Sequence, residues 1–423
     1  MPANINTSLS PNNNFKIEHI LLASPAGVVL DITSELLSFS MIETLDDVTS
    51  GTMVLQNRSN LTGIMKAFTG QEAIQIGFAS GDGNDHGFRT LIEKTFRCNN
   101  IGYMSDCAST SPNSAISIEL VSNYDIVNET NRINKNYSLD KSITDIVTDI
   151  IKTYYPDTEY NVEKTVSLKH PFSLTISKPY NVLKTLTNLA VSSEYKSSDF
   201  RLFENTKGLN FVTTGNLLSA EPKFTFGIPT SGQALNAGAG NFIPIYKLDG
   251  FMLADPKHNY KGATFGSNVM TTSIIDKEFD FTTLNRGQFD KLRPYSNEIS
   301  TLSEYESAMQ GQETFNTNLL YSKDSIYNIL TQDDGGHKAN LDLMEKTRMN
   351  SKRIMISAPG FTDLTAGDVV NLVMMNIDNG DRTKSALNTN LSGKWLITSI
   401  KYDLTLTEFN SDYTLVSDSN IKG

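Results

Sequence analysis

The stretch that most constrains this chain runs from Lys352 to Leu404. It reads KRIMISAPGFTDLTAGDVVNLVMMN, then a polar loop, then SGKWLITSIKYDL. Apolar and polar residues alternate over Arg353 to Ala358 and again over Lys394 to Leu404, while Val369 to Met374 is almost wholly apolar. That pattern predicts three strands, with a last one over Asp412 to Val416. Between the first two, Pro359-Gly360 and Ala366-Gly367-Asp368 supply turn chemistry, since proline fixes φ and glycine admits φ > 0. Gly367 and Asp368 are therefore expected to reverse the chain. Gly393 precedes Trp395, the sole tryptophan, and Trp395 is expected to pack inside a small antiparallel barrel rather than to serve as a ligand platform.

Composition narrows the class. A chain of 423 residues, 39% hydrophobic and 20% charged, has the length for about two to four domains with cores of their own. No window reaches the roughly 18 apolar residues of a membrane span. The start, MPANINTSLSPNNNF, lacks the basic and apolar regions of a signal peptide, so a cytosolic product without membrane anchoring is expected. Cys98 and Cys107 fit no zinc spacing and are expected to be plain packing residues rather than a disulfide. The net charge of −11 argues against a nucleic-acid grip built on phosphate neutralisation. Acidity is regional: residues 1–134 carry 7 basic and 14 acidic side chains and residues 216–345 carry 10 and 16, whereas 135–215 and 346–423 are near balance.

Along the chain, short alternating strands are predicted over Phe15 to Leu22, Val28 to Thr33, Leu36 to Leu45, Thr52 to Gln56, Glu72 to Phe78, Thr90 to Cys98 and Ala115 to Ser122. Leu37, Phe39 and Met41 are placed on one face, as are Ile74, Ile76 and Phe78. From Tyr137 the period becomes helical, with Ile143, Ile146, Val147, Ile150, Ile151 and Tyr154 on one face and Ser138 or Ser142 as cap. A second helix starts near Pro179, and a hairpin over 199–213 follows. The expected division is a first β-barrel in 1–134, an α+β insertion in 135–215, and linker, barrel strands and short helices in 216–345. The C-terminal part of a second barrel fills 346–423. The fold class is mainly β: two tube-like antiparallel β-barrels plus a small helix-containing domain. The tract 280–335 gives no assignable pattern beyond polarity.

Sites of chemistry are not expected. Asp82, Asn84, His86, Gly87 and Glu93 match positions of a calcium loop, but His86 is no oxygen ligand and the flanks read as strands, so a hairpin turn is the better reading. The five histidines are scattered and no nucleophile motif occurs. Neither catalytic residues, cofactor nor metal is expected.

The order of motifs carries a resemblance. The vpG, l.aGDvv.l and sGkWlItsi.y elements of the C-terminal stretch, with the D-I-T-s, E-x-L, sG.mvl and tG.E.i.I.F elements of residues 31–78, resemble baseplate hub proteins of contractile phage tails. That family is shared with the hub half of VgrG spike proteins. The S-K-P-Y-N-V-L helix and the DFRLFEN.KGLNFV hairpin are similar to its insertion. The resemblance implies a non-enzymatic, homotrimeric ring in the virion, assembled in the host cytoplasm, that adapts a sixfold tail tube to a threefold spike. The implied partners are a central spike protein, a tail tube or tube-initiator protein and baseplate wedge proteins, with DNA only as passing cargo. The acidic excess of 1–134 and 216–345 is available to line such a channel, or serves only to keep the subunit soluble. A tail-associated wall hydrolase or sugar-binding module, or the hub part of a type VI-like spike, is the alternative.

Overall fold

The computed structural model describes residues 15–57, 70–81, 88–105, 114–138, 141–166, 172–194, 198–228, 241–253, 266–273, 277–285, 296–297, 299–300, 317–322, 345–346, 348–349, 351–375 and 387–421. The N-terminal strands are β1 (Phe15–Ala23), β2 (Val29–Asp31), β3 (Leu36–Thr44), β4 (Ser50–Gln56), β5 (Ala73–Ser80), β6 (Ile92–Ser105) and β7 (Ser114–Ser122). They pair antiparallel in the order β3-β4-β7-β6-β5-β1-β2. Side chains on a strand alternate between faces, and Ile74, Ile76 and Phe78 are indeed all fully buried. In β3 the pattern is interrupted. A bulge between Leu36 and Ser38 turns Leu37 outward to 44% exposure and buries Leu36 instead. The extra residue shifts the parity of everything before it.

Helix α1 (Asn123–Thr130), absent from the sequence expectation, leads out of β7, capped by the Ser122 hydroxyl, which accepts from Tyr124 N–H. Strand β8 (Ile133–Tyr137) and helix α2 (Ile143–Tyr154) follow. The Ser142 and Asp145 side chains cap each other's backbone amides in a reciprocal box. Of the predicted α2 face all but Tyr154 is buried; Tyr155 takes its place. Strands β9 (Tyr160–Val162) and β10 (Phe172–Ser177), helix α3 (Pro179–Thr187), the hairpin β11 (Phe200–Asn205) and β12 (Gly208–Thr213), and helix α4 (Thr214–Ser219) complete this region. Tyr137, Ile146, Ile150, Leu183, Leu186 and Phe211 belong to its own apolar cluster.

The remaining strands are β13 (Phe224–Gly227), β14 (Phe242–Pro244), β15 (Lys247–Leu253), β16 (Gly266–Ser273), β17 (Glu278–Asn285), β18 (Ile299–Ser300), β19 (Thr317–Ser322), β20 (Lys352–Pro359), β21 (Val369–Val373), β22 (Gly393–Leu404), β23 (Phe409–Ser417) and β24 (Ser419–Asn420). Strands β16, β17 and β19 form a separate three-stranded sheet; β19 and most of β17 fall in the tract 280–335, for which no pattern is assignable, whereas β16 precedes it. The C-terminal strands pair in the order β15-β20-β23-β22-β21-β13-β14. At the bend from β14 to β15 the adjacent amides of Ile245 and Tyr246 donate to Gly227 O and Ser357 O, each at 2.9 Å. The chain there passes from one neighbouring strand to the other.

The mainly-β expectation is borne out, but the two strand sets are not separate. Strand β22 is long enough to serve two neighbours on one edge: Gly393 to Leu396 pair with β21, and Ser399 to Leu404 pair with β3. One 14-stranded sheet results, and closure into two tubes is not seen among the described residues. A single apolar cluster runs through both sets, from Ile20 and Phe78 to Trp395 and Leu415. Its members include Cys98, whose thiol burial pushes up to about 12; Cys107 lies outside the described residues. By register, the opposite parity of the sheet carries Arg97, Lys401 and Arg353 beside Glu93, Glu119, Asp403 and Asp412, close to charge balance.

Candidate functional site

Glu43 lies on the same inward parity of β3 as Phe39 and Met41, and it is fully buried. It sits where the N-terminal strands, the helical region and the C-terminal strands meet. One carboxylate oxygen, Oε2, accepts from Ala366 N–H at 3.1 Å; Oε1 has no donor in good hydrogen-bond geometry, the Thr206 amide acting on the carboxyl only weakly. Burial raises the carboxyl from 4.5 to about 7, with Glu204 adding to the effect and the Ala366 amide, Lys94 and the Thr206 amide opposing it.

Around Glu43 the three parts are joined by an ion pair and by hydrogen bonds, some of them charge-assisted. Lys94 of β6 is ion-paired with Glu204 of β11 and donates to Asn205 O at 3.3 Å. Glu204 Oε2 accepts from Thr49 N–H at 3.0 Å, and Asn205 Nδ2 donates to Ala366 O at 3.0 Å. The hairpin β11–β12 thus bolts the β3–β4 turn to the turn before β21. On the outer side Asp368 receives Lys207 at 3.1 Å and Lys223 at 2.6 Å, and its Oδ2 accepts from Thr365 N–H. The second apolar layer over this junction contains Leu45, Phe203, Val212, Val369, Leu396 and Val416, drawn from all three parts.

The structure brings two of the four residues singled out in the sequence into this junction. Gly367 has φ +93°, a conformation that glycine adopts without strain, and its N–H donates to Ile397 O at 2.9 Å. Asp368 follows it and returns a carbonyl to Ile397 N–H at 3.0 Å. A valine at 367 would be strained and its Cβ would lie 3.0 Å from the Phe203 ring. Gly367→Val should cost about 1–3 kcal/mol, measured by urea denaturation, with the exposed Glu408→Ala near neutral as control.

Gly393 and Trp395 lie apart from the junction, at the start of β22. Gly393 abuts Asn297. Trp395 is fully buried, its Nε1–H donates to Leu391 O at 2.9 Å, and the Lys352 ammonium sits 4.9 Å from its ring centroid. Lys352 donates to Asn390 O at 3.0 Å and to Asn420 Oδ1 at 2.8 Å, and burial lowers it to about 8. Of the calcium-loop match, residues 82–87 lie outside the described residues. Glu93 is in β6, bonded to Gln75 and 3.7 Å from His19. Sequence reasoning missed Glu43, Lys94 and Glu204. The signal for Glu43 was present: a carboxylate on the inward parity of an otherwise apolar strand face.

No protein-family model matches the chain. Solved structures define the fold class first. A tail protein from Neisseria meningitidis MC58 superposes with a TM-score of 0.55 at 9% identity, over 96% of this chain and 97% of that one. The 43 kDa tail protein of prophage MuSo2 from Shewanella oneidensis gives 0.55 at 10% identity, over 95% and 99%. The chain has the fold of these tail proteins. More particularly, it is similar to the probable baseplate hub protein gp334 of Vibrio phage KVP40 (isolate Vibrio parahaemolyticus/Japan/Matsuzaki/1991). The two are 23% identical over 426 residues, spanning 98% of this chain and 97% of that protein. The resemblance to baseplate hub proteins read from the sequence is borne out.

Proposed function

We propose that this chain is a structural baseplate hub of a contractile phage tail, a ring subunit that joins the tail tube to the central spike. The observation that carries the reading is similarity to a hub protein over 98% of this chain, supported by a tail-protein fold of matching extent. The polar junction at Glu43 fits such a role, since it binds strand sets and insertion into one body rather than opening a cleft for chemistry. Under this reading the protein is not an enzyme and needs no cofactor. It acts in the virion after assembly in the host cytoplasm. Its units are a first strand set in 1–134, an insertion in 135–215, a connecting region in 216–345 and a second strand set in 346–423.

The subunit is proposed to form a homotrimer, with spike, tube or tube-initiator and wedge proteins as partners. Exposed strand edges need cover, and a closed ring covers them without open-ended growth. Light scattering at micromolar concentration should give three times the 46.7 kDa of the chain, and images should show rings with an open centre. A monomer that forms no ring even with tube or spike protein present would overturn the trimer. An acidic channel lining belongs to the same reading. The large sheet is near charge balance on its outward parity, so such a lining would draw on other surfaces of 1–134 and 216–345. Counting the charged side chains that face the channel in a structure of the ring decides it.

A further inference from the structure

We propose that Glu43 is a proton-operated latch on the three-part junction, closed while its carboxyl is neutral and loosened when it ionises. The geometry points to this. A fully buried carboxyl with one oxygen on the Ala366 amide and no donor in good geometry on the other is tolerable as a neutral acid and costly as an anion. The cation that acts on it, Lys94, is already ion-paired with Glu204, so Glu43 has no ion pair of its own among the described residues. The titratable groups that act on Glu43, or feel it, come from each element packed around it. They are Lys94 of β6 and Glu204 of β11, Tyr402 of β22 and Tyr413 of β23. Asp368, beside Ala366, also acts on Tyr402. Tyr402 is itself held in place, donating to Leu364 O at 2.7 Å.

The direction follows from linkage. The ordinary value for this carboxyl is 4.5 and burial raises it to about 7, so a junction closed over it holds the proton more tightly than one that lets solvent in. Below the lower value both forms are protonated and the latch is at full strength. Between the two values opening grows easier by up to about tenfold per pH unit, and above the upper value it levels off.

Three backbone amides report on the junction from its three sides: Leu45, bonded to Thr398 O; Gly367, bonded to Ile397 O; and Glu204, bonded to Asp47 O. Hydrogen exchange on the full chain, corrected for the intrinsic pH dependence of exchange, should show all three losing protection by up to about tenfold per pH unit across that window. In Glu43→Gln, isosteric and always neutral, protection should stay at the low-pH level, while Glu408→Gln should follow the wild type. Flat protection in the wild type, or an equal loss in Glu43→Gln, would overturn the latch. Should Glu43→Gln not fold, the carboxyl carbon resonance of Glu43 in the wild type decides: titration in the ordinary carboxylate range refutes it.

Discussion

Replacing Gly208 by alanine is expected to cost about 3–5 kcal/mol, the sum of left-handed backbone strain and a forced displacement of neighbouring backbone. Gly208 opens β12 with φ +126°, and a Cβ there would stand 2.1 Å from the carbonyl oxygen of Glu159 and 2.7 Å from its carbon. Backbone cannot step aside as a flexible side chain could. The same Glu159 oxygen accepts from Leu209 N–H at 2.9 Å, and the next residue, Tyr160, is in parallel register with Leu209. The hairpin would have to lift away from β9, taking Glu204, Asn205 and Lys207 out of the junction. Urea denaturation followed by circular dichroism measures the loss. Gly250→Ala is the control, since its added Cβ meets open space and should be near neutral. Equal midpoints for the two variants would show that the β9 contact does not hold the hairpin.

Local rules made much of this legible. Strict alternation placed Ile74, Ile76 and Phe78 inside, the helical period found the buried face of α2, and Ser142 stood as its cap. Proline at a helix start, which loses no hydrogen bond there, located α3. The failures have physical causes as well. The β3 bulge moved Leu37 outward because one inserted residue inverts parity. Helix α1 is only 8 residues long and carries few apolar positions, so its period is faint. The joining of the two strand sets left no local mark, since the pairing of Ser399 with Thr44 links residues far apart in the chain. Hydrogen-bond edges look alike in sequence whatever strand they meet. Glu43, Lys94 and Glu204 carry no mark of their meeting, because in each strand a single charged residue looks the same whether it faces solvent or a buried partner. Only the fold shows that all three point to one buried place.

Phe78→Ala should destabilise the protein by about 3–5 kcal/mol and leave a single unfolding transition for the sheet. Phe78 is fully buried in β5 of the N-terminal set, yet its ring meets Phe409 at 5.4 Å and Tyr402 at 6.3 Å, both from the C-terminal hairpin. Phe39 lies 6.1 Å away on its own side. Phe15 of β1 also reaches Phe409, at 6.0 Å. If the two strand sets were independent domains, the cavity would lower one transition and leave the other in place. Because the cluster is continuous and β3 is laddered to β22, the loss should be felt by the whole sheet. Differential scanning calorimetry distinguishes the outcomes when Phe78→Ala is compared with Leu183→Ala, which opens a cavity in the helical region's own cluster. A Phe78→Ala trace that splits, with Trp395 fluorescence reporting an unshifted C-terminal set, would show that the shared core does not couple them. A common shift would mean that a hub built on this fold carries load from one strand set to the other through packed aromatic rings rather than through a linker.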